Sequence, residues 1–187
     1  MYLNTIVEVK LVWYVYILFF IFLIPSLAYS SSQSKKPQDV LAKIYPGSTV
    51  ETKNIVLSQE QVNVIKKIAN VNFDSKLVSI YLVKKGQSLV AYGYVDIHTV
   101  RTKSEVVLYT ITPDFKLDVV EVLFFGEPLE YLPGEDWFLN FKGKTIEKDK
   151  IRLRIDIPNV SGSTLTCRTI TDRARLAIAI VKTLFER

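Results

Sequence analysis

The sequence predicts an α+β fold: one twisted antiparallel sheet packed by helices, with a long C-terminal helix and an N-terminal hydrophobic export segment. Three patterns carry that reading. Residues 77–125 alternate between apolar and polar positions in four runs, joined in pairs by short polar turns. From Leu165 the apolar residues Ile170, Ala174, Ala177, Ile178, Val181, Leu184 and Phe185 recur at spacings of three and four, the period of a helix with one buried face. Residues 11–28 contain no charged side chain at all.

The N-terminal run sits at the border between a signal-peptide core and a short membrane span. Pro25, Ser26, Ala28 and Ser30 offer small residues at a workable cleavage spacing, so residues 1–30 read as a signal peptide or membrane anchor, with cleavage favoured. The chain beyond them is expected to be exported, either periplasmic or anchored on the outer side of the cytoplasmic membrane. Residues 31–74 read as a linker followed by an N-terminal helical region. Val40, Leu41 and Ile44 suggest a short helix stopped by Pro46-Gly47, and Ser58-Gln59-Glu60-Gln61 has the form of a capping box opening a second helix through Val62, Ile65 and Ile68.

After Asn70 the periodicity changes from helical to alternating. Leu77–Val83 and Leu89–Ile97 flank Lys84-Lys85-Gly86-Gln87, and Glu105–Thr112 and Leu117–Phe125 flank Pro113-Asp114-Phe115-Lys116, which predicts two hairpins. A short helix is expected near Glu135–Phe141, a strand near Ile151–Ile157, and then the long terminal helix.

The net charge of +5 is dispersed, with no basic run interleaved with aromatics, which disfavours nucleic-acid binding. One Cys and one His among 187 residues cannot form a disulfide or a Cys/His metal site. Cys167 falls on the apolar helical face and reads as a small buried residue. Phosphate-loop, dinucleotide and nucleophile-elbow signatures are absent.

The stretch Ser161-Gly162-Ser163-Thr164-Leu165-Thr166 lies just before the terminal helix, where free backbone N–H groups and the positive end of the helix dipole favour a phosphate. Ser and Thr are also ordinary helix caps there. The stretch resembles the Ser-Gly-Ala-Thr-Leu/Ile-Thr signature of FMN-binding domains, such as the periplasmic flavin subunits of the Rnf complex and of the sodium-pumping NADH:quinone reductase. The similarity extends through Glu127-Pro128 and Trp137-Phe138-Leu139-Asn140-Phe141-Lys142-Gly143, and covers residues 75–187 as one FMN-binding domain.

That resemblance implies an electron carrier holding FMN by a phosphoester to Thr164, attached by a flavin transferase, with membrane or periplasmic redox partners. It implies Ser161, Gly162, Ser163, Leu165 and Thr166 as the surrounding cofactor site. The loop Glu127–Gly134 resembles the family's Glu-Thr-Pro-Gly loop beside the flavin. Tyr131, Trp137 and Phe138 are candidates for an aromatic wall along the ring, with core packing the competing reading. Arg101 is suited to a phosphate or the ring edge. His98, between Asp96 and Arg101, is a candidate either for chemistry or for a loop held by local hydrogen bonds. Glu105 reads as a strand-surface charge.

The family carries an acidic residue six positions before the modified threonine, where this chain has Pro158. That departure motivates a second expectation: a flavin-free module of the same fold that binds a ligand or a protein partner. A flavin reductase acting on a small substrate would need an acid–base pair, and the sequence marks none.

Overall fold

The computed structural model describes residues 34–186. The N-terminal export reading falls on residues outside that range. Among the described residues no helix is long and apolar enough to cross a membrane.

Helix α1 (Pro37–Ile44) starts with proline in its first turn and buries Val40 and Leu41. Strand β1 (Thr49–Val56) follows, then α2 (Gln59–Ala69), whose start is closed by the expected capping box: Ser58 Oγ accepts from Gln61 N, and the Gln61 side chain accepts from Ser58 N. Asn70 ends α2 in the left-handed region. Strands β2 (Leu77–Lys85), β3 (Ser88–Thr99), β4 (Ser104–Ile111) and β5 (Leu117–Phe125) then form two hairpins, as the alternation predicts. The sheet runs β1-β2-β3-β4-β5, every neighbour antiparallel. A 3₁₀ turn (Leu129–Tyr131), the single turn α3 (Glu135–Phe138) and another 3₁₀ turn (Leu139–Phe141) lead to the final helix α4 (Thr164–Phe185).

Two expectations need correction. The sheet gains a fifth strand, β1, within the region expected to be helical. Most of β1 is exposed, so Thr49–Val56 shows little hydrophobic alternation and is held chiefly by its register with β2, from Thr49–Lys84 to Val56–Leu77. Conversely, residues 151–157 are not a strand. The carbonyl of Arg152 accepts from the N–H groups of Ile155, Asp156 and Ile157, which curls the chain, and Ile151 and Arg154 take positive φ. The alternating Ile151, Leu153, Ile155 and Ile157 mislead because Ile151 and Ile157 enter the core and Leu153 packs partly against it, while Ile155 is exposed.

The sheet is covered on both faces. On one, α1 packs Val40 and Leu41 against Val83, Ala91, Leu108 and Leu123. Gly93 permits this approach: a Cβ there would stand 3.2 Å from Leu41 Cδ1 and 3.1 Å from Tyr81 Cβ. On the other face α2 and α4 close the main core with Ile65, Ile170, Ala174, Ile178 and Val181 over Ile80, Tyr94, Val107 and Tyr109. Cys167 is fully buried there, as its helical phase predicts.

Candidate functional site: the start of helix α4 and the hairpin beneath it

The loop entering α4 is shaped by its sequence. Pro158 keeps residue 157 out of helical geometry, and Gly162 takes φ +86°. A Cβ on Gly162 would meet nothing within 4 Å, so the turn opens onto free space. Ser163 is the N-cap by position, yet its side chain makes no capping hydrogen bond and is buried. The first-turn N–H groups of α4 therefore lack the usual hydroxyl partner at the positive end of the dipole. Thr164 is the first helical residue and half-buried, and its hydroxyl reaches only the Val160 carbonyl, at a long 3.5 Å. Ser161 and Gly162 are exposed, Leu165 is partly exposed, and Thr166 points into the core. Just upstream, Asn159 Oδ1 is buried with no hydrogen-bond partner.

Trp137 supports this loop from inside. Its indole Nε1 donates to the Pro158 carbonyl at 2.7 Å, and its ring makes edge contacts with Phe138 and Phe141 at centroid distances of 5.2 and 5.1 Å. The structure thus brings Trp137 to the loop that enters α4 as a buried support. Phe138 is half-buried beside it.

Glu127, Arg101 and Tyr131 form a second group. Glu127 Oε1 accepts from Thr102 N at 2.7 Å, Lys103 N at 2.8 Å and Thr102 Oγ1 at 3.3 Å, and those amides hold its carboxyl below the usual range. The Arg101 guanidinium lies 4.1 Å from the centre of the Tyr131 ring. The loop after β5 is thereby stitched to the β3–β4 turn. No hydrogen bond or ion pair among the described residues joins this pair of loops directly to Ser161–Thr166.

The third group was only partly legible. His98 is not in a loop but on β3, directly across from Glu105 on β4. Its Nδ1 lies 2.7 Å from Asp96 Oδ2 and its Nε2 lies 2.8 Å from Glu105 Oε2. All three are buried, and Glu105 is fully so, which overturns its reading as a surface charge. The cause is α4, which roofs this end of the sheet: Tyr109 Oη donates to the Ile170 carbonyl at 3.1 Å, and Arg173 Nε sits 3.5 Å from Asp96 Oδ2. Because α1 covers the opposite face, both phases of β4 are buried, and alternation could not mark Glu105 as inward. The acid–base grouping that the sequence does not display is thus assembled across two strands and a helix.

Burial pushes the Glu105 carboxyl up, partly offset by His98. Burial pulls the His98 imidazole down, but the hydrogen bonds and charges of Asp96 and Glu105 outweigh it and hold the ring above its ordinary value. Burial, with a smaller contribution from the Glu105 charge, also raises the Cys167 thiol, so this cysteine is kept protonated and unreactive.

The chain matches no protein-family model and no curated protein.

On the other flank of α4, a cleft of about 580 Å³ runs between the end of α2 and the first half of α4. Lys66, Arg168 and Arg173 line it with Asn70, Asn72 and Asp172. Another group missed in the sequence is Arg175, buried on α4, which donates to the Ala69 carbonyl at 2.9 Å and the Ile151 carbonyl at 2.7 Å and pairs with Asp172 at 2.8 Å. An arginine in the middle of an apolar helical face is the one sequence signal that could have found it.

Proposed function

We propose that this protein is an exported electron-transfer flavoprotein that carries FMN as a phosphoester on Thr164. The observation that carries the reading is the start of α4: a 22-residue helix whose N-cap side chain makes no cap, preceded by the open Gly162 turn, with the Thr164 hydroxyl loosely engaged. Those residues fit the group, since first-turn N–H groups can donate to phosphate oxygens and Gly162 leaves room beside the hydroxyl. The cofactor would supply the one- and two-electron chemistry. The chain's own part is to hold the phosphate on Thr164 and keep the loop in place through Trp137. Covalent attachment suits an exported carrier, which could not readily replace a lost cofactor. This role is that of a carrier or redox-complex subunit between membrane or periplasmic partners.

A second reading rests on the cationic cleft between α2 and α4. In it the chain is a flavin-free module that binds an anionic ligand through Lys66, Arg168 and Arg173. Pro158 in place of the family's acidic residue also favours it.

Co-expression with a flavin transferase and intact-mass measurement separates the two. A mass increase of one FMN less water, lost in Thr164→Val while Thr164→Ser keeps part of it, supports the flavoprotein. A colourless protein of unmodified mass, made beside a competent transferase, would sink it in favour of the binding module. Covalent flavin that persists in Thr164→Val would move the attachment to another residue. Cell fractionation tests export: the domain should lie outside the cytoplasm, with a new N-terminus near Tyr29 or Ser31 if residues 1–30 are removed.

A further inference from the structure

His98 is the only histidine of the chain, and both of its ring nitrogens face carboxylate oxygens at hydrogen-bond distance. A neutral imidazole has one N–H and one lone pair, so it can donate in only one direction. Two short contacts to carboxylates require a further proton. Either an imidazolium donates both ways, or one carboxyl keeps its proton and donates to the ring. In both arrangements the three side chains hold one proton more than a neutral histidine and two carboxylates would.

A second, independent observation is Glu105 Oε1, which is buried and has no partner. A bare carboxylate oxygen in the interior is costly unless its charge is compensated nearby. The groups facing the array are Tyr94 on β3, whose Oη donates to Asp96 Oδ1 at 3.2 Å, Tyr109 on β4, and Cys167 and Arg173 on α4. Burial keeps both tyrosines and the thiol in their neutral forms, leaving Arg173 as the charged neighbour. With the extra proton, two carboxylates, an imidazolium and a guanidinium balance. Without it, the cluster carries one uncompensated negative charge in the core.

We propose that Asp96, His98 and Glu105 form a redox-linked proton site: they keep their shared proton when the start of α4 carries added negative charge, and release it more readily to water when that charge is withdrawn. The link to redox rests on the flavin reading, whereas the proton count rests on the geometry alone. Helix α4 roofs the array, with the Ile170 carbonyl accepting from Tyr109 Oη and Arg173 Nε 3.5 Å from Asp96 Oδ2. Ile170 lies about 9 Å along the helix from Thr164, so charge added at the helix start acts on the array across a dry interior. With flavin held there, two electrons from a protein donor and one proton from water give the helix start a net gain of one negative charge. That charge favours the imidazolium, and its loss to an acceptor lets the array give its own proton to water.

Nuclear magnetic resonance of the cofactor-free protein tests the count, because the single histidine gives an unambiguous ¹⁵N signal. At pH 7 His98 should be protonated on both nitrogens, or one of Asp96 and Glu105 should show the ¹³C shift of a protonated carboxyl. In Glu105→Gln the titration midpoint of His98 should fall by roughly one to three pH units. A neutral His98 beside an ionised Asp96 and an ionised Glu105 at pH 7 would overturn the proposal, even if flavin loads on Thr164. In flavin-loaded protein the His98 midpoint should be higher in the reduced than in the oxidised state, and Glu105→Gln should shift the bend in the pH dependence of the potential. Equal midpoints in the two states would refute the redox link. A chain that never takes up flavin would remove that link together with the functional reading, and would leave the proton count to stand or fall on the first measurement.

Discussion

Replacing Arg175 with methionine tests how the molecule is held together behind α4. The guanidinium bridges three elements: the end of α2 through the Ala69 carbonyl, the 151–157 turn through the Ile151 carbonyl, and α4 itself through Asp172. Methionine is close in length and apolar, and removing a buried charge returns its desolvation penalty. That gain is opposed by two carbonyls left in the interior, on residues that are themselves fully buried. Each unsatisfied acceptor costs about 1–3 kcal/mol. The pair with Asp172 adds little, since that carboxylate is 40% exposed and regains water when freed. The carbonyls win, and the variant should lose about 2–4 kcal/mol net. Denaturant titration should show a lower midpoint at unchanged m-value. Arg175→Lys should recover less than half, because one ammonium cannot span both carbonyls. A loss below about 1 kcal/mol in Arg175→Met would refute this account, and would mean that water from the adjoining cavity of about 310 Å³ satisfies the carbonyls.

Four other outcomes can be checked. The His98 value is raised in the fold, so its contribution to stability is complete below the ordinary imidazole value of about 6.5 and is lost as pH rises through the folded value; denaturation midpoints should fall as pH rises beyond about 6.5, with the slope removed in His98→Asn. Removing residues 165–187 should abolish cooperative unfolding, because α4 carries the fully buried Ile170, Leu176, Ile178, Ile180 and Val181, worth about 8–15 kcal/mol together against a typical domain total of about 5–15. Gly162→Ala should cost about 1 kcal/mol in thermal or chemical unfolding, from its positive φ alone, since the added methyl meets no neighbour. Trp137→Phe should lose about 1 kcal/mol through the missing bond to the Pro158 carbonyl, and hydrogen exchange of the 159–163 amides should quicken.

Both hairpins, the capping box and the terminal helix were legible because each is written in local sequence: alternation, turn residues, a Ser-x-x-Gln pair, a three-four repeat. Strand β1 was not, since an edge strand facing solvent needs no apolar phase and is defined by its partner. The 151–157 turn was misread because four alternating aliphatic residues mimic a strand, while the hydrogen bonds that curl it converge on a single carbonyl. The helix start at Thr164 could be read from Gly162 and the hydroxyl cluster. The Asp96–His98–Glu105 array could not be, because it depends on the register that sets His98 opposite Glu105 and on the helix that shuts water out. Residues of that kind acquire their chemistry only from what covers them.

The neighbour-by-neighbour order of the sheet has a consequence for how the chain acquires its shape. Every strand pairs with the one made just before or just after it, so the whole sheet can assemble from short-range steps, with small loop-closure cost at each. The helix that closes the main core comes last. Until residues 164–185 are available, Tyr94, Val107, Tyr109 and the three polar side chains beside them line an open face. A chain emerging N-terminus first therefore passes through a stage with strands paired but unroofed, a sticky species that must be shielded or finished quickly. The arrival of α4 then does two things in one event: it dries the core, and it confers on His98 and its neighbours the surroundings in which their protonation differs from that in water.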